Sequence, residues 1–164
     1  MAISYLGLQL STYWRKPPPL TQRRDWRAVL ATALAIDALG LSIAQPVTRP
    51  DATLPAVVLT FAGTTLAFWS VLYLGKNFSL LPQARTLVTT GPYRYVRHPI
   101  YLGGLLITLA EIWLRFSVAV VALNVVFVAA QVVRLRYEEA ILEETFPTYA
   151  RYRERTSALI PGIA

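Results

Sequence analysis

The sequence predicts an all-α integral membrane protein with about four transmembrane helices, the last two a helical hairpin, and an amphipathic cytoplasmic C-terminal tail. Three observations predict it. At 55% hydrophobic and 15% charged residues the 164-residue chain is too apolar for an ordinary soluble domain, and its mean hydropathy of +0.44 points the same way. Its apolar residues gather into runs near the roughly 20 needed to cross a hydrocarbon core. Its basic residues fall almost entirely on one side of those runs.

Residues 1–25 read as an N-terminal interfacial segment and a Pro-rich link. The opening "MAISYLGLQLSTYWRKPPPL" lacks the charge-then-apolar order and the small-residue cleavage site of a signal peptide, so it reads as retained. Tyr5, Tyr13 and Trp14 suit the headgroup level of a bilayer. Lys16–Leu20, "KPPPL", has too many prolines to be helical and makes a stiff link.

Residues 26–133 hold the transmembrane core. Trp26–Ala44 is a span interrupted by Asp37, and Leu54–Leu74 is a span without any charge. Ile100–Leu114 is short and carries Glu111; Phe116–Val133 carries Asn124 and Gln131. Only Arg115 and its neighbours separate these last two, which predicts a tight helical hairpin. So short a third span would start within the headgroups or thin the bilayer. Glu111 has Arg115 four residues on, the spacing of a local ion pair. Asp37 is an intramembrane carboxylate, which is either functional or tied to a polar partner in the bundle such as Thr64 or Asn124.

Residues 134–164 form the tail. Leu135, Leu142 and Phe146 fall on one helical face, so the fourth span is expected to run on as an amphipathic helix until Pro147. With the N-terminus in the cytoplasm, fourteen of the 16 Lys and Arg share that side and only Arg49 and Arg115 lie opposite. Both termini are then cytoplasmic, in the inner membrane if the protein is bacterial. The net charge of +7 is accounted for by this topology and by contacts with membrane lipids, so nucleic acid is not an expected partner. The absence of cysteine removes disulfides, thiolate metal sites and a Cys nucleophile, and one His removes a His-rich metal site.

Two polar segments stand out. The first, "GPYRYVRHPIYLGG" (Gly91–Gly104), turns at Gly91-Pro92 and places Pro99 in the first turn of a helix. Arg97 and His98 then sit at the mouth of the third span, where free N–H groups favour a carboxylate. Gly103-Gly104 allows a ligand or a neighbouring helix to come close. The second, "RLRYEEAILEETF", sets Arg134 beside Glu138 and Glu139 beside Glu143 at i, i+4 spacing.

Taken together, "PYRYVRHPIYLG" and, one hairpin later, "EEAILEETFPTYARYRERTSALIP" resemble the isoprenylcysteine carboxyl methyltransferase family and its relatives among membrane phospholipid methyltransferases. The family pattern is Arg-His-Pro-x-Tyr, then Glu-Glu-x-x-Leu, then Phe and Tyr, and a closing Leu-Ile-Pro. The likeness runs from about Thr89 to Pro161. Pro147 stands where Gly is usual, and Ser157-Ala158 where Pro-Arg is frequent.

The resemblance implies S-adenosylmethionine, held in a cytoplasm-facing pocket made by the last helices and the tail. The chain agrees in having no strand followed by a G-x-G-x-x-G turn. By position, Arg97, His98, Pro99, Tyr101 and Gly103 would frame the methionine end, and Glu138 and Glu139 would meet its ammonium or the ribose hydroxyls. Tyr93 belongs to the aromatic surface of the same pocket. Arg134 would hold an anionic acceptor, and His98 or Glu138 would serve as base where the acceptor needs deprotonation. The acceptor implied is a lipophilic small molecule: a prenylated or alkylated carboxylate, hydroxyl or thiol. Two other readings stay open at this point, a small membrane transporter suggested by Asp37, Glu111 and Gln131, and a non-catalytic subunit of the same fold.

Overall fold

A backbone in hydrocarbon must satisfy its own N–H and C=O groups, and apolar runs of this length do so as helices. The computed structural model describes residues 20–22, 25–79, 83–160 and 162. The interfacial segment and most of the Pro-rich link therefore lie outside the described residues. The elements are β1 (Thr21–Gln22), α1 (Trp26–Ile43), α2 (Thr53–Leu74), β2 (Gln83–Ala84), α3 (Pro99–Leu114), α4 (Val118–Thr145) and α5 (Tyr149–Arg155). Short 3-10 turns at Pro50–Ala52, Gly75–Asn77 and Gly91–Arg94 punctuate them. β1 and β2 pair antiparallel, two residues each, and tie the approach to α1 onto the segment before α3.

The helix ends follow their local chemistry. Asp25 caps α1 by accepting from the Arg27 amide at 2.9 Å, and Ser117 caps α4 by accepting from the Val120 amide at 3.2 Å. Pro99 opens α3, where its missing N–H costs nothing. Pro147 ends α4 by forcing Phe146 into extended backbone. The α1 helix, the 50–77 segment around α2, and α4 are long and apolar enough to cross a membrane, whereas the 16 residues of α3 form a shorter apolar helix. As its apolar face predicts, the fourth apolar run does not stop at Val133. α4 continues unbroken through 28 residues, about 42 Å at 1.5 Å per residue, which exceeds the roughly 30 Å of a hydrocarbon core.

Two helix pairs build the bundle. α2 packs chiefly on α3, and α1 chiefly on α4. α3 and α4 are joined by a short link, as a hairpin is, but each finds its main packing partner elsewhere. Small residues decide the pairing. Ala28, Ala31, Ala35, Ala38 and Ser42 make one buried stripe on α1, and Phe127 and Ala130 of α4 pack on its middle. At its end, the Asn124 side-chain amide donates to Ser42 Oγ and to the Val120 carbonyl, both at 2.9 Å. On the other pair, Gly63 of α2 and Gly103 of α3 meet back to back. A Cβ on either would lie 2.6 Å from the other's carbonyl oxygen. Without a hydrophobic drive in lipid, such close backbone approach supplies much of the association energy.

The end of the bundle far from the polar segments is clamped by Thr48 and Arg49, whose amides both donate to the Leu114 carbonyl. Arg115 donates to the Gln45 carbonyl at 3.0 Å and pairs with Glu111 at 2.6 Å, which is the local ion pair that the i, i+4 spacing predicts. Asp37 corrects an expectation. It pairs with neither Thr64 nor Asn124: it is exposed on the outer face of α1, and Asn124 is taken by Ser42.

Gly63→Leu or Gly103→Leu should force α2 from α3 and lower the melting temperature of the detergent-purified protein by several degrees, on the order of 1–3 kcal/mol for overpacking. Gly40→Ala, where nothing lies within 4 Å of the added carbon, should leave the melting temperature unchanged or slightly raised.

Candidate functional site

The site forms where the two helix pairs part. Helical periodicity sets Gln131, Arg134, Glu138 and Leu142 along one stripe of α4. Opposite it stands the mouth of α3. There Gly91 takes a positive φ of 61° and has no room for a side chain, since a Cβ would overlap the Tyr73 ring. The turn it allows carries Pro92 and Tyr93 inward and delivers Arg97 and His98 to the start of α3.

A clasp holds the tail against this mouth. The Arg97 and His98 amides donate to the Ser157 and Ala158 carbonyls at 2.9 and 3.1 Å. The Arg97 guanidinium donates to Glu139 Oε1 at 2.9 Å, to the Arg153 carbonyl at 3.0 Å, and to the Thr156 carbonyl. The same Glu139 oxygen lies 3.1 Å from His98 Nε2 and accepts from Tyr149 Oη at 3.1 Å. One carboxylate thus joins the α3 mouth, α4 and α5. Tyr152 adds a further tie, donating to the Tyr93 carbonyl at 2.6 Å. Arg153 pairs with Glu143 of α4.

Behind this clasp lies a cavity of about 150 Å³ that opens at its mouth. Tyr93, Arg97, His98, Tyr101, Arg134 and Glu138, six of the residues singled out in the sequence, all line it. Glu138 accepts from Tyr101 Oη at 2.5 Å and lies 3.8 Å from Arg134 Nη2. Arg134 also donates to Gln131 at 3.1 Å and stacks over the Tyr101 ring at 5.6 Å. The Tyr93 hydroxyl is buried and has no hydrogen-bond partner among the described residues, a donor and acceptor left for whatever enters.

The three other predicted residues stand elsewhere. Pro99 is buried as the first residue of α3, Gly103 faces Gly63 rather than the cavity, and Glu139 faces the clasp. Of the two uses open to Gly103, the structure takes the approach of a neighbouring helix.

Sequence reasoning missed part of the wall. Asn77, Phe78, Arg85, Leu87 and Val88 come from the connection between α2 and α3, and Tyr149 and Tyr152 from α5. Gln131 could have been found from its place three residues before Arg134 on the same stripe. The connection gave no periodic signal, because its position depends on the β1–β2 pairing.

The phenols at the clasp are held protonated. Burial and then the nearby Glu138 charge push Tyr93 well above the ordinary tyrosine range, and burial and then Glu139 do the same to Tyr149. Burial pushes Tyr152 up to about 12, with Arg97 working against it.

Comparison with known proteins adds three findings. The family model for phospholipid methyltransferase matches residues 52–149, from the start of α2 to the start of α5. The cobalt-zinc-cadmium resistance protein CzcN of Cupriavidus metallidurans is 33% identical over 147 residues, 85% of this chain and 63% of that protein. The nickel-cobalt-cadmium resistance protein NccN of Alcaligenes xylosoxydans xylosoxydans is 28% identical over 147 residues, 85% of this chain and 64% of that protein. The chain therefore spans just under two thirds of the length of both.

Two outcomes are expected. Arg97→Ala should free the tail, raising the rate of limited proteolysis within residues 149–160 by tenfold or more, while Arg136→Ala on the exposed face of α4 should not. Above pH 10 the unfolded chain releases phenolic protons that the folded chain keeps, so stability should fall as pH rises from 10 toward 12. Tyr152→Phe should flatten that decline in thermal melts.

Proposed function

The chain belongs to the phospholipid methyltransferase family, and on that premise we propose that it is an S-adenosylmethionine-dependent methyltransferase of the membrane acting on a lipophilic acceptor. The acceptor class is a carboxylate, hydroxyl or thiol of a prenylated or alkylated small molecule. The observation that carries the reading is the convergence of Glu138, Arg134, His98 and an unpartnered Tyr93 hydroxyl in one cavity at the mouth of α3.

The donor set fits the cofactor. A zwitterionic amino acid, ribose hydroxyls, a flat base and a sulfonium call for carboxylate acceptors, hydroxyls and aromatic surfaces in one place. Glu138 would take the ammonium or ribose hydroxyls, Tyr93 would give or accept one further hydrogen bond, and Leu87, Val88 and Leu142 would cover the base. When bound, the cofactor supplies an electrophilic methyl group. The chain's own residues supply position and dryness. Arg134, held by Gln131 and Tyr101, would orient an anionic acceptor. His98 is buried, and its Nε2 rests on Glu139. That contact fixes the ring and gives any proton it takes from an acceptor hydroxyl or thiol a counter-charge. Arg97, with its guanidinium spent on the clasp, acts as a positioning residue that keeps α5 over the cavity.

We assign four membrane helices with α3 as a short fourth, residues 1–25 to an interfacial segment, and residues 134–164 to a tail that completes the site. Both termini are placed in the cytoplasm on the strength of the basic excess. The two relatives carry names for metal resistance. In such a setting we read this chain's part as methylation of a membrane-soluble component, because its clustered groups shape a cavity for a small organic cofactor.

Calorimetric titration of the detergent-purified protein with S-adenosylmethionine and S-adenosylhomocysteine tests the reading. Saturable binding is expected, weakened at least tenfold by Glu138→Ala and by His98→Ala. Absence of binding by folded wild type, in lipid as well as detergent, would overturn it. Arg134→Lys should preserve cofactor binding and lower turnover of the acceptor by tenfold or more, since lysine loses the stacked, forked geometry.

A further inference from the structure

A second concavity lies on the outer side of the clasp, between the Gly91–Arg94 turn and α5. Arg94, Arg151 and Arg155 line it together with the hydroxyl-bearing Thr89, Thr148 and Thr156, and no carboxylate does. All three arginines are exposed. Among the described residues none of them has an ion pair or side-chain hydrogen bond, whereas their neighbours Arg97 and Arg153 are both spent on carboxylates.

We propose that this cleft is a binding site for the phosphate of an anionic membrane lipid, distinct from the cofactor cavity. Three guanidinium groups converging without a counter-charge leave mutual repulsion that a phosphate removes. Guanidinium and hydroxyl donors are the set that phosphate oxygens accept from. Depth selects a lipid over a dissolved phosphate. Arg94 lies five residues before the start of α3, and the backbone bonds from Arg97 and His98 to Ser157 and Ala158 fix the end of α5 at that same level. The cleft is thus held beside the mouth of an apolar helix, where headgroups lie. It is also on the face we assign to the cytoplasm, whose leaflet is rich in anionic lipid.

The position gives the site a consequence. Tyr152 and Leu87 line both the cleft and the cofactor cavity, so they form the wall between them. A phosphate bridging Arg94 to Arg151 and Arg155 would fasten α5 to the turn that carries Tyr93, and so hold the cavity closed.

Native mass spectrometry of the full-length protein released from micelles tests this. The probes are phosphatidylglycerol, phosphatidylcholine and inorganic phosphate, and the readout does not depend on the cofactor. The wild type should retain phosphatidylglycerol at least tenfold better than phosphatidylcholine. Each of Arg94→Gln, Arg151→Gln and Arg155→Gln should lower that retention several-fold, and the triple variant at least tenfold. Arg136→Gln, which removes a surface charge elsewhere on α4, should not. Each single variant is scored only where its melting temperature matches wild type; three exposed positions give three independent chances to score. Equal retention of both lipids, wild-type retention in the folded variants, or displacement of phosphatidylglycerol by equimolar inorganic phosphate would each overturn the proposal.

Discussion

The site depends on one carboxylate. Glu139, on α4, offers a single oxygen to Arg97 and Tyr149 as donors and to His98 Nε2, and these groups come from the α3 mouth and α5. Each is at least partly withdrawn from water, so the ionic and hydrogen-bonding terms are far less screened than on an open surface. Removing Glu139 would take the counter-charge from the Arg97 guanidinium, which would keep only its two carbonyl acceptors, and the acceptor from the buried Tyr149 phenol, a cost of several kcal/mol. Glu139 thus anchors the clasp, and the backbone bonds from Arg97 and His98 and the tie from Tyr152 to Tyr93 reinforce it.

Its neighbour Glu138 shows how one helix divides two tasks. Successive residues on a helix point about 100° apart, so Glu139 turns toward the clasp while Glu138 faces the cavity with Tyr101 and Arg134. One carboxylate fixes the wall and the other is offered to a ligand. The two tyrosines near them are similarly divided, since Tyr149 is spent on Glu139 and the buried Tyr93 hydroxyl has no partner among the described residues.

The cavity itself is a product of how the helices pair. Close approach at Gly63–Gly103 draws α3 to α2, and the alanine stripe draws α4 to α1. α3 and α4 are left with modest contact. Tight packing deep in the bundle thus coexists with an opening at one end. The short α3 starts inside that opening, which lets its polar mouth sit within reach of the α4 stripe.

What the sequence determined by itself is whatever rests on local pattern. Apolar runs define the helices because lipid forces each run to satisfy its own backbone. Pro99 and Pro147 set two boundaries by sterics, and Glu111–Arg115 follows from helical spacing alone. The paired motifs, Arg97-His98-Pro99 with Glu138-Glu139, located the cavity because short polar segments in an apolar chain have few places to go. Tertiary structure decided the rest, because it concerns which faces meet. It sent Gly103 to Gly63, spent Arg97 on the tail, left Asp37 on the outer face, and brought Arg85 and the Leu87–Val88 segment into the wall. None of these has a periodic signature: each is fixed by contacts between residues far apart in the chain, whose energy exists only once the helices have paired.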